Sequence, residues 1–146
     1  MEMNNKETVR LLIEEVLNKG NFSVLDQVVH TNYHYQSPTE TMDGIDDLKA
    51  FVQALRVAFP DLHIHILDQI ADEEKVCTRI FMTGTQQGDF LGLPATGKAV
   101  QLQGVVISRL KSGLIAEEWE LLDQLTLLQQ LGPVRSLGKC SQDGEL

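Results

Sequence analysis

Apolar positions recur at helical spacing over the first 60 residues and switch to a period of two after them. Val9, Leu12, Ile13, Val16 and Leu17 mark a helix from about residue 5 to 19. Asn4 with Glu7 forms an asparagine version of the capping box at its start, and Gly20 ends it. Ser23 is placed to cap a short second helix, Val24 to Val29. Residues 30–38, HTNYHYQSP, read as a short extended piece closed by Pro38. Asp43 and Gly44 open a third helix with the stripe Ile45, Leu48, Val52, Leu55 and Phe59, widened by Phe51 and Ala58; Pro60 stops it. From Leu62 the residues alternate: Leu62, Ile64 and Ile66 against His63, His65 and Leu67. Asp72-Glu73-Glu74 is a polar turn, and Val76 to Thr85 is a second long strand. Gln86 to Gly97 is a loop carrying Phe90, Leu91 and Leu93, so apolar that it is expected to pack over the core, with a lid over a pocket as the sharper reading. Lys98 to Leu110 is a third strand, and Lys111-Ser112-Gly113 turns the chain into a fourth.

Helices followed by hairpin-linked strands define an α+β fold, with the helices on one face of an antiparallel sheet. Strands of about ten residues twist and curl. The expected architecture is a cone-shaped barrel: a strongly curved antiparallel sheet closed by three N-terminal helices around an internal cavity. One domain over residues 1–134 is expected, with a flexible tail over 135–146.

Composition narrows the partners. The chain has 146 residues, 42% of them hydrophobic, which suits one globular domain. No apolar run approaches the ~20 residues of a membrane span. The start, MEMNNKETVR, lacks the apolar centre of a signal peptide, so a cytoplasmic location is expected. A net charge of -9 argues against nucleic acid or an anionic membrane as partner. Cys77 and Cys140 sit in different contexts, without zinc-ligand spacing, and no disulfide is expected in the cytosol.

The stretch GLIAEEWELLDQLTLLQQLG, residues 113–132, carries the candidate chemistry. Read as a strand, one face holds Leu114, Ala116, Glu118, Glu120 and Leu122. The other holds Ile115, Glu117, Trp119, Leu121 and Asp123. Both faces mix apolar and acidic residues, so alternation alone leaves open which is inside. If Glu118 and Glu120 line a pocket, burial and mutual repulsion raise at least one pKa toward the range useful for proton transfer. Other groupings are weaker. His63 and His65 share a strand face but have no third ligand nearby, and His30 and His34 are not on a helix, so no metal is expected. Arg79 lies in the apolar strand VCTRIFMTG, where it either pairs with an acid of a neighbouring strand or reaches outward. No nucleophile motif, phosphate loop or dinucleotide fingerprint is present.

The series FPDL, then TGT with GDFLGLPATGK, then G-L-I-x-E-x-W-x-x-x-D-Q-L-x-L-L-Q-Q-L-G resembles the SnoaL-like polyketide cyclases of the nuclear transport factor 2-like superfamily, over roughly Asn5 to Gly132. The resemblance implies a cavity fold and a homodimer formed through the outer sheet face. It also implies metal- and cofactor-free acid/base chemistry, an aldol-type cyclisation or related proton transfer on a small apolar carbonyl compound. It places the acid/base carboxylate at Glu120, where the family often has Asp, with Glu118 beside it where many members have His. The face with Glu118 and Glu120 is then the cavity face, and Trp119 and Leu121 meet the partner. Tyr33, Tyr35, Gln36 and Arg79 are candidates to bind substrate, and Phe90 and Leu93 to close the mouth. Gln36 stands where many members have His or Asn, and Val106 where the cyclases have a pocket His. A non-catalytic ligand-binding or structural dimer module of the same fold is the alternative expectation.

Overall fold

The protein is described by a computed structural model over residues 4–132. The tail expected over 135–146 lies outside the described residues. Helix α1, Asn5–Leu11, begins where the capping residues forecast, with Asn4 Oδ1 accepting from the Glu7 amide at 2.9 Å. It then widens into a π-helical stretch, Leu12–Leu17, whose Leu12, Ile13 and Val16 are buried. Asn18 ties this end to the sheet. Its amide donates to the Ile64 carbonyl (3.0 Å) and its carbonyl accepts from the Ile64 amide (2.7 Å). Asn21, rather than the expected Ser23, caps the short turn Phe22–Val24 that leads into α2, Leu25–Val28.

The extended piece forms β1, Val29–Gln36, and β2 follows at Thr41–Asp43. Helix α3, Gly44–Ala58, buries Leu48, Val52, Leu55 and Ala58, the expected stripe. Four strands follow: β3 His63–Asp72, β4 Lys75–Thr85, β5 Ala99–Lys111 and β6 Leu114–Leu122. Helix α4, Gln124–Leu131, is capped by Asp123 and ends at Gly132, whose φ of 111° favours glycine.

The strands form one curved sheet in the order β2-β1-β6-β5-β4-β3. The α+β class and the curved sheet are as expected, with two corrections. First, β1 runs parallel to β6, so the sheet is mixed rather than antiparallel. Second, the sheet does not close, because β2 and β3 are its two free edges. The parallel pairing was hidden because more than 70 residues separate its strands, so no turn signal announces it.

A bulge corrects the facing of β6. Leu110 pairs with Ile115 and Arg109 with Glu117, leaving Ala116 as the extra residue. Ile115 is therefore fully buried instead of facing outward with Trp119. Beyond the bulge the alternation holds, and Glu118 and Glu120 point inward. The inner face of β4 and β5, from Val76, Ile80 and Met82 to Val100, Leu102, Val106 and Leu110, packs with α1, its π-helical extension and α3 into one core. Among the described residues no helix is long and apolar enough to cross a membrane.

Candidate active site: two glutamates in an apolar cavity

Between the inner sheet face and the helices lies a cavity of about 120 Å³. Its walls are apolar: Leu12, Ile13 and Leu17 from the first helix, Phe51 and Leu55 from α3, and Ile80, Leu102 and Val106 from the sheet. Glu118 and Glu120 project into it from β6, Tyr33 and Tyr35 from β1. No lysine, arginine or histidine is among the described residues that line it.

The parallel register of β1 on β6 builds two acid–phenol pairs. Tyr35 lies opposite Glu118. Each tyrosine reaches one inward-facing position further along β6, so Tyr33 Oη donates to Glu118 Oε1 at 2.9 Å and Tyr35 Oη donates to Glu120 Oε1. Strand β5 then makes the two acids unequal. Ser108, opposite Glu118, donates its hydroxyl to Glu118 Oε2 at 2.6 Å. Val106, opposite Glu120, has nothing to donate. Glu118 is thus buried with hydroxyl donors on both oxygens, and Glu120 has one.

The electrostatics follow. Burial raises the pKa of Glu118, while Ser108 and Tyr33 oppose the rise by favouring the anion. Burial pushes Glu120 up to about 7; the Tyr35 hydrogen bond works against this and the Glu118 charge adds to it. Burial and the neighbouring carboxylates raise both phenols as well, so Tyr33 and Tyr35 stay neutral donors. Glu120 is therefore the group that exchanges its proton near neutral pH, which suits a general acid/base. Glu118 is the better-held anion.

The expected site residues fall into two groups. Glu118, Glu120, Tyr33, Tyr35 and Phe90 come together around the cavity. Phe90 also packs edge-on against Phe59, with ring centroids 5.1 Å apart. Gln36, Arg79 and Leu93 do not line it. Gln36 is exposed opposite Trp119, out of phase with Tyr33 and Tyr35. Arg79 is exposed on the outer face of β4, and β5 separates it from β6; the arginine that pairs with a β6 acid is Arg109, with Glu117. Leu93 turns into the core, and its neighbour Leu91 lines the cavity instead. Ser108 was missed, although the sequence held a signal for it. It is the lone polar residue in the inward phase Leu102, Gly104, Val106, Ser108, Leu110 of β5. No group of three or more metal-ligating side chains occurs among the described residues.

An open α+β sheet wrapped by helices around an apolar cavity, with one buried and one half-buried carboxylate on the last strand, defines the fold class of the protein. The family model described as SnoaL-like polyketide cyclase matches residues 7–131, and the chain belongs to that family. Solved structures agree. A candidate SnoaL-like polyketide cyclase from Jannaschia sp. CCS1 is 25% identical with a TM-score of 0.82, over 89% of this chain and 92% of that one. IdmH of Streptomyces antibioticus, a candidate polyketide cyclase, is 25% identical with a TM-score of 0.78, over 89% and 99%. AclR of Streptomyces galilaeus, a candidate hydroxylase, is 25% identical with a TM-score of 0.77, over 89% and 96%. No curated protein matches the sequence.

Proposed function

We propose that the protein catalyses proton transfer on a small apolar carbonyl compound, as in an aldol-type cyclisation, with groups its own chain supplies. The observation that carries this reading is Glu120, a cavity-facing carboxylate whose burial brings its pKa to about 7. As the anion, Glu120 takes a proton from the carbon α to a carbonyl. Its protonation weakens its hold on the Tyr35 hydroxyl, which is then free to donate to the enolate oxygen. The α-carbon forms its new bond to a second carbonyl carbon, and the resulting alkoxide takes the proton back from Glu120. Atoms and electrons balance without an oxidant. Glu118 lies beside the base, held by the Tyr33 and Ser108 hydroxyls. Because both its oxygens already accept hydroxyl hydrogen bonds, the donor to the enolate is Tyr35 rather than Glu118. Names of structural relatives as candidate cyclases support the reaction class. Glu120→Gln keeps the shape of the side chain and removes the base. It is expected to abolish turnover of a cyclisable ketone while far-UV circular dichroism stays unchanged. Full activity in this variant would falsify the reading.

The proposal includes a cytoplasmic homodimer joined through the outer sheet face. Val105, Ile107 and Leu121 support it: they are 38%, 39% and 65% exposed on the adjacent strands β5 and β6. Leu121→Glu is expected to shift the sedimentation coefficient to that of a monomer. An unchanged coefficient would remove this face as the interface.

A further inference from the structure

The loop between β4 and β5 is shaped from inside by one side chain. Gln86 is fully buried. Its Nε2 donates to the carbonyls of Gly88 (3.1 Å) and Leu93 (3.2 Å), and its Oε1 accepts from the amide (3.2 Å) and hydroxyl (2.7 Å) of Thr96. Its main chain closes the loop's base, the amide donating to Lys98 and the carbonyl accepting from Gly97. A buried amide with both ends satisfied by loop backbone acts as a template for that backbone.

At the tip, Phe90 and Leu93 exchange two main-chain hydrogen bonds, of 2.9 and 2.8 Å. Between them Leu91 and Gly92 have φ of 52° and 76°. Two central residues at positive φ make a turn of the I′ kind, for which Asn-Gly is the favoured pair. Gly92 fits this geometry. Leu91 does not, because its Cβ crowds the backbone in the left-handed region. Packing gives a poor reason for a leucine there, as Leu91 is 45% exposed. The side chain does line the cavity, beside Phe90. Such a strained residue, held by its surroundings next to a cavity, points to a functional role.

We infer that Leu91 is a specificity-determining residue: the Gln86-templated turn holds its side chain at the cavity mouth, where it meets an apolar part of the ligand. The loop is then a preformed wall packed on the core, the first of the two readings its sequence offered, and not a lid. This inference rests on the reading of the cavity as a ligand site and is independent of the chemistry proposed there.

Leu91→Asn tests it, because Asn tolerates the left-handed region. The full-length protein is titrated with the uncharged apolar fluorophore N-phenyl-1-naphthylamine, and its melting is followed in parallel. The variant is expected to melt about 3 °C higher as strain is relieved, yet to bind the probe about tenfold more weakly. Unchanged affinity overturns the inference. So does a lower melting temperature, which would make Leu91 a packing residue. A wild-type protein that ignores the probe overturns the ligand reading together with the inference, whereas binding that Leu91→Asn leaves unchanged overturns the inference alone. Gln86→Leu gives a second readout: faster amide exchange over residues 87–97, with protection kept at Ile80 and Leu102. Unaltered exchange there would show that Gln86 is not the template.

Discussion

Glu120 makes the protein less stable at high pH, and removing its charge reverses this. In the folded state its carboxyl binds a proton with a pKa of about 7, against an ordinary value of 4.5. Between those values the folded protein holds more of this proton than the unfolded chain does, so stability falls as pH rises. The penalty is absent below 4.5 and fully present above about 7. At about 1.4 kcal/mol for each pH unit it comes to about 3 kcal/mol. Glu120→Gln removes the titration and keeps an oxygen that accepts from Tyr35. Glu118 adds to the effect with the same sign, since it ionises more readily beside a neutral amide. Urea unfolding of both proteins at pH 5 and pH 8 isolates the linkage, because other titrating groups cancel in the comparison. Glu120→Gln is expected to gain about 2.5 kcal/mol on wild type between the two pH values. A variant that loses turnover would thus be the more stable protein at pH 8. Parallel stability curves, with no widening of the difference, would refute the claim that Glu120 is buried at the cost of its charge.

Two further variants probe the surroundings of the acid pair. Ser108→Ala removes the donor on Glu118 Oε2 and is expected to raise the Glu118 midpoint further. Carboxyl-carbon NMR reads this directly, and an unmoved midpoint would mean that water replaces the hydroxyl. Gly104→Ala places a Cβ 2.4 Å from Leu122 Cδ2 and 3.0 Å from the Leu121 carbonyl, where β5 and β6 meet. Displacing Leu122, which lines the cavity, is expected to cost about 1–3 kcal/mol in urea unfolding. Wild-type stability would show that Leu122 swings aside freely.

The parts of the fold that depend on local pattern were readable in the sequence. The α3 stripe, the strand alternation in β4 and β5, and the capping of α1 by Asn4 depend on neighbours within a turn or a hairpin. What depends on distant pairing was not readable. The extended HTNYHYQ segment gave no sign that it lies parallel to β6, and so Tyr33 and Tyr35 could be named but not matched to their acids. Gln36 was chosen with them from the resemblance, although alternation along a strand puts it in the opposite phase to both tyrosines. The bulge at Ala116 likewise leaves no mark in an alternating pattern. It moved Ile115 inward without disturbing Glu118 and Glu120. Of the two courses open to Arg79 the structure shows the outward one, for a topological reason: strand order decides which arginine can reach β6, and β5 with Arg109 lies between.

The roles of the two glutamates are decided outside the strand that carries them. One offset serves both tyrosines, since Tyr33 to Glu118 and Tyr35 to Glu120 are each 85 residues apart. The parallel register of β1 on β6 therefore makes both contacts together, and a one-residue slip would turn both tyrosines out of the cavity. This pairing by itself gives two equivalent acid–phenol pairs. Equivalent acids would compete for one proton, with neither poised for a fixed role. Strand β5 breaks the equivalence, with a hydroxyl opposite Glu118 and an isopropyl group opposite Glu120. Ser108 stabilises one anion, and Val106 leaves the other carboxylate in apolar surroundings where its proton is held to about pH 7. Resemblance to the cyclases marked Val106 as the place where a pocket histidine is missing. In this chain the valine has its own consequence: an aliphatic neighbour makes Glu120 a weak enough acid to exchange its proton at neutral pH with no basic residue among the described residues that line the cavity.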